Sequence, residues 1–176
     1  MKAKLKTPLV AAVIMVVLII VSILIGLNRS FYSMRKNIAD GYYQSSSGIQ
    51  RMLDYRVEAA NGLSSLADGY QSGNSAIEPL QERLEQDIQA LLAADSPSEQ
   101  FDANSLLSGS FNGLAAELES SGASISSFQN SFEEAEQAIQ DSSYNRKVSI
   151  YNEKFDSFPT VLFKWAIFAS PLEEFR

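Results

Sequence analysis

The sequence predicts an all-α protein: an N-terminal transmembrane helix followed by an elongated antiparallel helical bundle of about four long helices. Three observations carry this expectation. Residues 8–27, PLVAAVIMVVLIIVSILIGL, contain no charge. Apolar residues in the rest of the chain recur at steps of three and four, the period of one helix face. Strand signals, meaning alternating apolar residues joined by hairpin dipeptides, are scarce. The expected organisation is a basic flank over residues 1–7, a span over 8–27, a helical bundle over 28–159 and an apolar tail over 160–176.

The charge-free run has the length to cross the hydrocarbon layer, since 1.5 Å of rise per residue carries it across about 30 Å. A cleaved signal peptide is the competing reading, supported by the lysine-rich start. The run, however, exceeds the length of a signal h-region, no convincing small-x-small cleavage site follows it, and no cysteine is present for lipidation. Ser22 and Gly26 form a small-xxx-small pair of the kind that lets helices approach closely. Orientation rests on Lys2, Lys4, Lys6 and the α-amine against Arg29, Arg35 and Lys36. The denser positive end favours a cytoplasmic N-terminus, hence an extracytoplasmic body on a single-pass protein.

Charge is distributed unevenly. The first 36 residues hold six cations and no acid, which leaves eight cations against 21 acids in the rest. An acidic body is a poor match for nucleic acid. The chain has no histidine and no cysteine. That removes cysteine nucleophiles, serine–histidine relays, the usual zinc sites, haem and iron–sulfur ligation, and disulfides. No phosphate cradle, nucleophile elbow or Ser-x-x-Lys motif appears. The expectation is therefore a non-enzymatic protein with no cofactor and no metal.

After the span, Tyr42, Ser46, Ile49, Leu53, Arg56, Ala60, Leu63, Ala67 and Tyr70 form one stripe, predicting a helix over about 30–71 that the glycine, serine and asparagine of 71–75 end. A second helix carries Ile77, Leu80, Leu84, Ile88 and Leu91, with Pro79 near its first turn. Residues 94–100, ADSPSEQ, read as a surface loop. The third helix, over about 104–120, presents Leu107, Phe111, Leu114 and Leu118. The fourth carries Ile125, Phe128, Phe132, Ala135 and Ile139, is interrupted over 140–143, and resumes as Tyr144, Val148, Tyr151, Phe155 and Phe158 until Pro159 stops it. Short loops and facing stripes make an antiparallel bundle the economical arrangement.

The segment 143–159, SYNRKVSIYNEKFDSFP, contains two Tyr-Asn pairs seven residues apart: Tyr144-Asn145 and Tyr151-Asn152, with Val148 between them and Phe158-Pro159 after them. This pattern resembles the YN..V..YN..I..FP signature of the LemA family. Ile49, Leu53, Arg56, Glu58, Leu63, Gly69 and Tyr70 also fall where that family's first soluble helix has comparable residues. The chain departs from the family in having Asp141 and Ser142 where an arginine usually precedes the first pair, Tyr55-Arg56 in place of Arg-Arg, and Ala59-Ala60-Asn61-Gly62 in place of Leu-Ile-Pro-Asn. It is identified as a divergent member. The resemblance implies a bacterial, membrane-anchored, mainly helical bundle.

Physically, seven residues are nearly two helical turns, so Tyr144 and Tyr151 share a stripe with Val148, Phe155 and Phe158 while Asn145 and Asn152 line its edge. One reading is a packed seam in which the hydroxyls and amides satisfy neighbouring helices; the other is a recognition surface for a partner helix. Glu117, Glu119, Glu133, Glu134 and Glu136 lack the histidine of di-iron bundles and read as a solvated face. The tail also has two readings. Leu162, Phe163, Trp165, Ile167 and Phe168 fold back on the bundle, or Phe163, Lys164, Trp165 and Phe168 meet the membrane interface or a partner. The expected function is an interaction or scaffold module of the cell envelope whose partners are the lipid bilayer and other envelope proteins. An accessory subunit or regulator of a membrane protease or transporter is the alternative.

Overall fold

The computed structural model describes residues 6–44, 46 and 48–176 of the chain. Lys2 and Lys4 of the predicted basic flank lie outside the described residues. Every regular element among the described residues is helical. They are α1 (Lys6–Ala39), continued by a π-helical turn (Asp40–Gln44), α2 (Ile49–Ala67), α3 (Ile77–Ala93), α4 (Pro97–Ser120), α5 (Ser126–Gln140), α6 (Tyr144–Asp156) and the short α7 (Thr160–Phe163), which ends in a 3₁₀ turn (Lys164–Ala166). An all-α fold with helical-bundle packing and one long apolar N-terminal helix is thus what this sequence forms.

Two of the predicted boundaries are corrected. The helix expected over 30–71 is two helices, because the SSSG run interrupts it: Ser46 lies in a turn and Gly48 is extended at φ −70°, ψ 152° where α2 begins. Serine hydroxyls compete for backbone hydrogen bonds, and glycine weakens a helix interior. The expected loop over 94–100 is largely the start of α4. Ser96 accepts from the Glu99 N–H at 3.3 Å while the Glu99 carboxylate accepts from the Ser96 N–H at 3.3 Å, and Pro97 occupies the first turn. This reciprocal cap, worth about 1 kcal/mol, starts the helix seven residues earlier than apolar spacing alone suggested.

The chain divides into two compact bodies. One comprises α1 as far as Asn37 together with Ser149–Leu172; the other comprises Ile38–Val148 together with Glu173–Arg176. In the second body, α3 packs on α4 and α2 on α5, and α2 also meets α3 and α4. α2 and α3 run antiparallel, as the pairing of Ser64 with Glu85 and of Asp68 with Gln81 shows. The predicted stripes supply its core: Leu63, Ile77, Leu84, Leu107, Leu114 and Leu118 are fully shielded. Gly62 is required by the α2–α5 contact, since a Cβ there would stand 2.5 Å from the Phe128 ring. Gly122, at φ +84°, turns the chain after α4 where other residues would be strained.

Arg56 lies at the centre of this body, 1% exposed. Its guanidinium donates to Glu136 and Asn104, and to the Ser108 hydroxyl at 2.6 Å. It also lies 3.9 Å from the Phe132 ring centroid, and Phe132 stacks in parallel on Phe111 at 3.8 Å. Both faces of Phe132 are thereby covered, one by a cation and one by an aromatic ring. Glu136 is therefore not part of a solvated face. Glu117 likewise accepts from Asn74, whereas Glu119, Glu133 and Glu134 are exposed as expected.

In the first body, side chains from Leu9 to Val21 on α1 are exposed. This is the one helix among those described that is long and apolar enough to cross a membrane. Further along α1, Phe31 is buried and meets Tyr151 and Phe155 edge-on at 5.3 and 5.8 Å. Such edge-to-face pairs add to the burial of the rings themselves.

Candidate functional site

The two Tyr-Asn pairs hold the main chain of the C-terminal tail. In the first body, the Asn152 amide donates to the Leu172 carbonyl at 2.9 Å and accepts from the Leu172 N–H at 2.9 Å, while the Tyr151 hydroxyl donates to the Ser170 carbonyl at 3.1 Å. In the second body, the Asn145 amide donates to the Phe175 carbonyl at 2.7 Å and accepts from the Phe175 N–H at 2.7 Å, while the Tyr144 hydroxyl donates to the Glu173 carbonyl at 2.8 Å. Each asparagine thus acts as a strand neighbour would, offering one donor and one acceptor to a single tail residue. Each tyrosine adds a bond two residues earlier in the tail.

The spacing of the two pairs matches the tail. Seven residues along α6 rise about 10.5 Å. Their partners, Leu172 and Phe175 or Ser170 and Glu173, are three residues apart, and extended chain at 3.1–3.4 Å per residue covers about 10 Å in three steps. Pro171 helps hold the tail extended, because a residue before proline is pushed out of the α region. It also lacks the N–H that would otherwise fall between clamped positions without a partner.

Both motif tyrosines are shielded, with Tyr144 at 8% and Tyr151 at 1% exposure, and Val148 between them is fully buried. Asn145 and Asn152 are half-buried at the edge, as the helical spacing predicts. Phe158 departs from that stripe. It is 78% exposed, because α6 stops at Asp156, before its phase can return Phe158 to the buried face. Pro159 is half-buried.

Burial pushes the Tyr144 hydroxyl up to about 12, with Tyr43, Glu173 and Glu174 adding to the effect. Burial also raises Tyr151, against the opposing charge of Arg35. A tyrosine whose folded pKa exceeds its unfolded value of 10.0 contributes stability that is complete below pH 10 and is lost as pH rises towards about 12. The tail should accordingly become sensitive to carboxypeptidase across that window. Tyr144→Phe, lacking the hydroxyl, should start with a looser tail and change less over the same range; an unchanged alkaline step in that variant would refute the assignment to Tyr144.

The remaining tail residues separate the two readings made from the sequence. Ile167 is buried and Phe163 half-buried, but Leu162, Trp165 and Phe168 are exposed at 59%, 83% and 95%, so the expectation that all five fold over the bundle is corrected. The physical reason is the clamping itself: the backbone of 166–175 is held by side-chain amides and hydroxyls, which fix the chain without burying every second side chain. Lys164 is exposed and pairs with Asp156 at 2.5 Å. Sequence spacing did not indicate Asn28, which holds Phe168 and Ala166, or the tail residues 170–175 as partners of the Tyr-Asn pairs. The detectable signal was a proline-containing tail with no helical period downstream of two asparagines at a fixed interval.

A separate cleft of about 570 Å³ lies between α2 and α5 in the second body. Its apolar lining includes Met52, Tyr55, Ala59 and Phe128, and Glu58 and Glu134 add carboxylates. Comparisons with models of protein families, with curated proteins and with solved structures find no match to this chain.

Proposed function

We propose that this chain is a non-enzymatic, single-pass membrane-anchored interaction module of the LemA type, displayed in the bacterial cell envelope. The observation that carries this reading is the use made of the motif residues. All four Tyr-Asn side chains are spent on main chain of the protein's own tail, a structural use that involves no reacting group and leaves partner contact to other surfaces of the body. The LemA assignment rests on the spacing of residues 143–159. The anchor reading is supported by α1, whose charge-free run leaves its side chains outward over more than three turns. With the N-terminus in the cytoplasm, the helical body stands on the extracytoplasmic side.

The α2–α5 cleft supplies an apolar surface with an acidic rim for an envelope partner. A photocrosslinking side chain at Tyr55, introduced into the full chain in cells, should yield a discrete adduct that is missing when the same group replaces the exposed Leu92 on α3. Equal labelling at both positions, or none, would overturn the interaction reading. Exchange of residues 8–27 for an unrelated apolar span distinguishes the roles: an adduct that survives marks a module acting through its body, and one that disappears marks an accessory subunit docked through its span.

A further inference from the structure

We propose that residues 158–168 form an interfacial foot, an apolar surface that inserts at the headgroup level of the bilayer where α1 emerges. The inference rests on the anchor reading and deepens it by assigning a second membrane contact. Its basis lies wholly within the first body. Asn28 is the first residue past the predicted span over 8–27, and its side chain accepts from the Phe168 N–H at 2.8 Å and donates to the Ala166 carbonyl at 3.2 Å. The same amide donates to Leu24 of α1 at 3.0 Å, which fixes its direction. These bonds tie the tail's backbone to the end of the span.

What the tie presents is unusual for a surface in water. Phe158, Leu162, Trp165 and Phe168 are exposed at 78%, 59%, 83% and 95%, with Val161 at 47%. Large apolar side chains clustered in one short segment mark a contact surface, and here they adjoin a helix that is itself lipid-facing. Tryptophan and phenylalanine suit the boundary between headgroups and acyl chains, where one ring edge stays wet. The polar groups are compatible with that depth. Lys164 pairs with Asp156 and lies 4.9 Å from the Phe155 ring, so its ammonium is held by a counter-charge and an aromatic face at the polar edge of the segment. Arg29, exposed beside Asn28, adds a cation at the level of anionic headgroups.

A partner's transmembrane helix would be a different occupant, and lipid is favoured because the backbone on either side of Ile167, next to exposed Trp165 and Phe168, is tied to the end of a single span. The foot would set the depth of α1, since sinking the helix would drag charged Lys164 and Arg29 into hydrocarbon and raising it would expose the aromatics.

Trp165 is the only tryptophan, so its fluorescence reports this site alone. The full chain is reconstituted into vesicles of neutral and anionic phospholipid, washed at alkaline pH, and probed with lipids brominated near the headgroup or near the chain end. Expected results are retention through the wash, a blue-shifted emission, stronger quenching by the shallow bromines than by the deep ones, and protection from aqueous iodide. A Leu162→Ser, Phe168→Ser double variant should stay in the vesicles but shift back towards aqueous emission. Loss of the chain in the wash would overturn the anchor reading and the foot with it. Retention with Trp165 open to iodide and untouched by either brominated lipid would overturn the foot alone.

Discussion

Replacing Glu136 by leucine is expected to lower the stability of the helical body by about 3 kcal/mol, at the lower end of the range for breaking a buried ion pair. The cost falls on Arg56, which is 1% exposed and cannot turn its guanidinium to water once its counter-charge has gone. Burial pulls the Arg56 pKa down and Glu136 opposes that pull, the pattern of a charge kept ionised by its partner. The converse substitution should be milder. In Arg56→Met the carboxylate left behind is about one-third exposed and can regain hydration, while methionine refills space against Phe132. The double variant should recover most of the loss, because apolar replacements of buried ion pairs are often neutral or better. Denaturant unfolding of the full chain in detergent, run on the two single variants and the double, measures the coupling directly. Equal costs for the two single changes would show that the charge is not confined as described.

Asn145→Ala and Asn152→Ala should each release part of the tail while leaving the helices folded. Each asparagine makes two hydrogen bonds to one tail residue, together about 2 kcal/mol, on the order of a 30-fold shift in the local opening equilibrium. The effect is expected to be local. Asn152→Ala should speed amide exchange at Leu172, and Asn145→Ala at Phe175, with little change in exchange from α2 to α4. Asn→Asp at either position should fall between, since it keeps the acceptor for the tail N–H and loses the donor to its carbonyl. Unchanged exchange at Leu172 and Phe175 would mean that the tail is held by packing of Phe175 and Ile167 instead. Global unfolding in either alanine variant would move both asparagines into the bundle core.

These outcomes separate what could be read in advance from what could not. The helical stripes were legible because each records one period of burial: Leu107, Phe111, Leu114 and Leu118, or Ile77, Leu84, Ile88 and Leu91, are shielded as their spacing requires, with Leu80 of the second stripe half-buried. Boundaries were less legible where polar chemistry decides them. The Ser96–Glu99 cap acts through hydrogen bonds that an apolar pattern does not register. The Tyr-Asn stripe was visible as a face, but its partner was not, since an extended tail has no period of its own and is recognised through main-chain atoms that every residue shares.

The amino-acid sequence by itself determined the class of protein: an all-helical chain with one apolar N-terminal run, an acidic body and no histidine or cysteine for the commoner catalytic and metal chemistries. Those properties follow from local spacing and composition, which need no knowledge of distant neighbours. Only the tertiary structure decided what the distinctive residues do. It placed Arg56 in a buried ion pair with a glutamate 80 residues away, turned Asn145 and Asn152 to residues 30 and 20 positions downstream, and brought Phe168 to Asn28 across 140 residues. The physical reason is that a hydrogen bond or an ion pair selects its partner by position in space, and burial decides its strength.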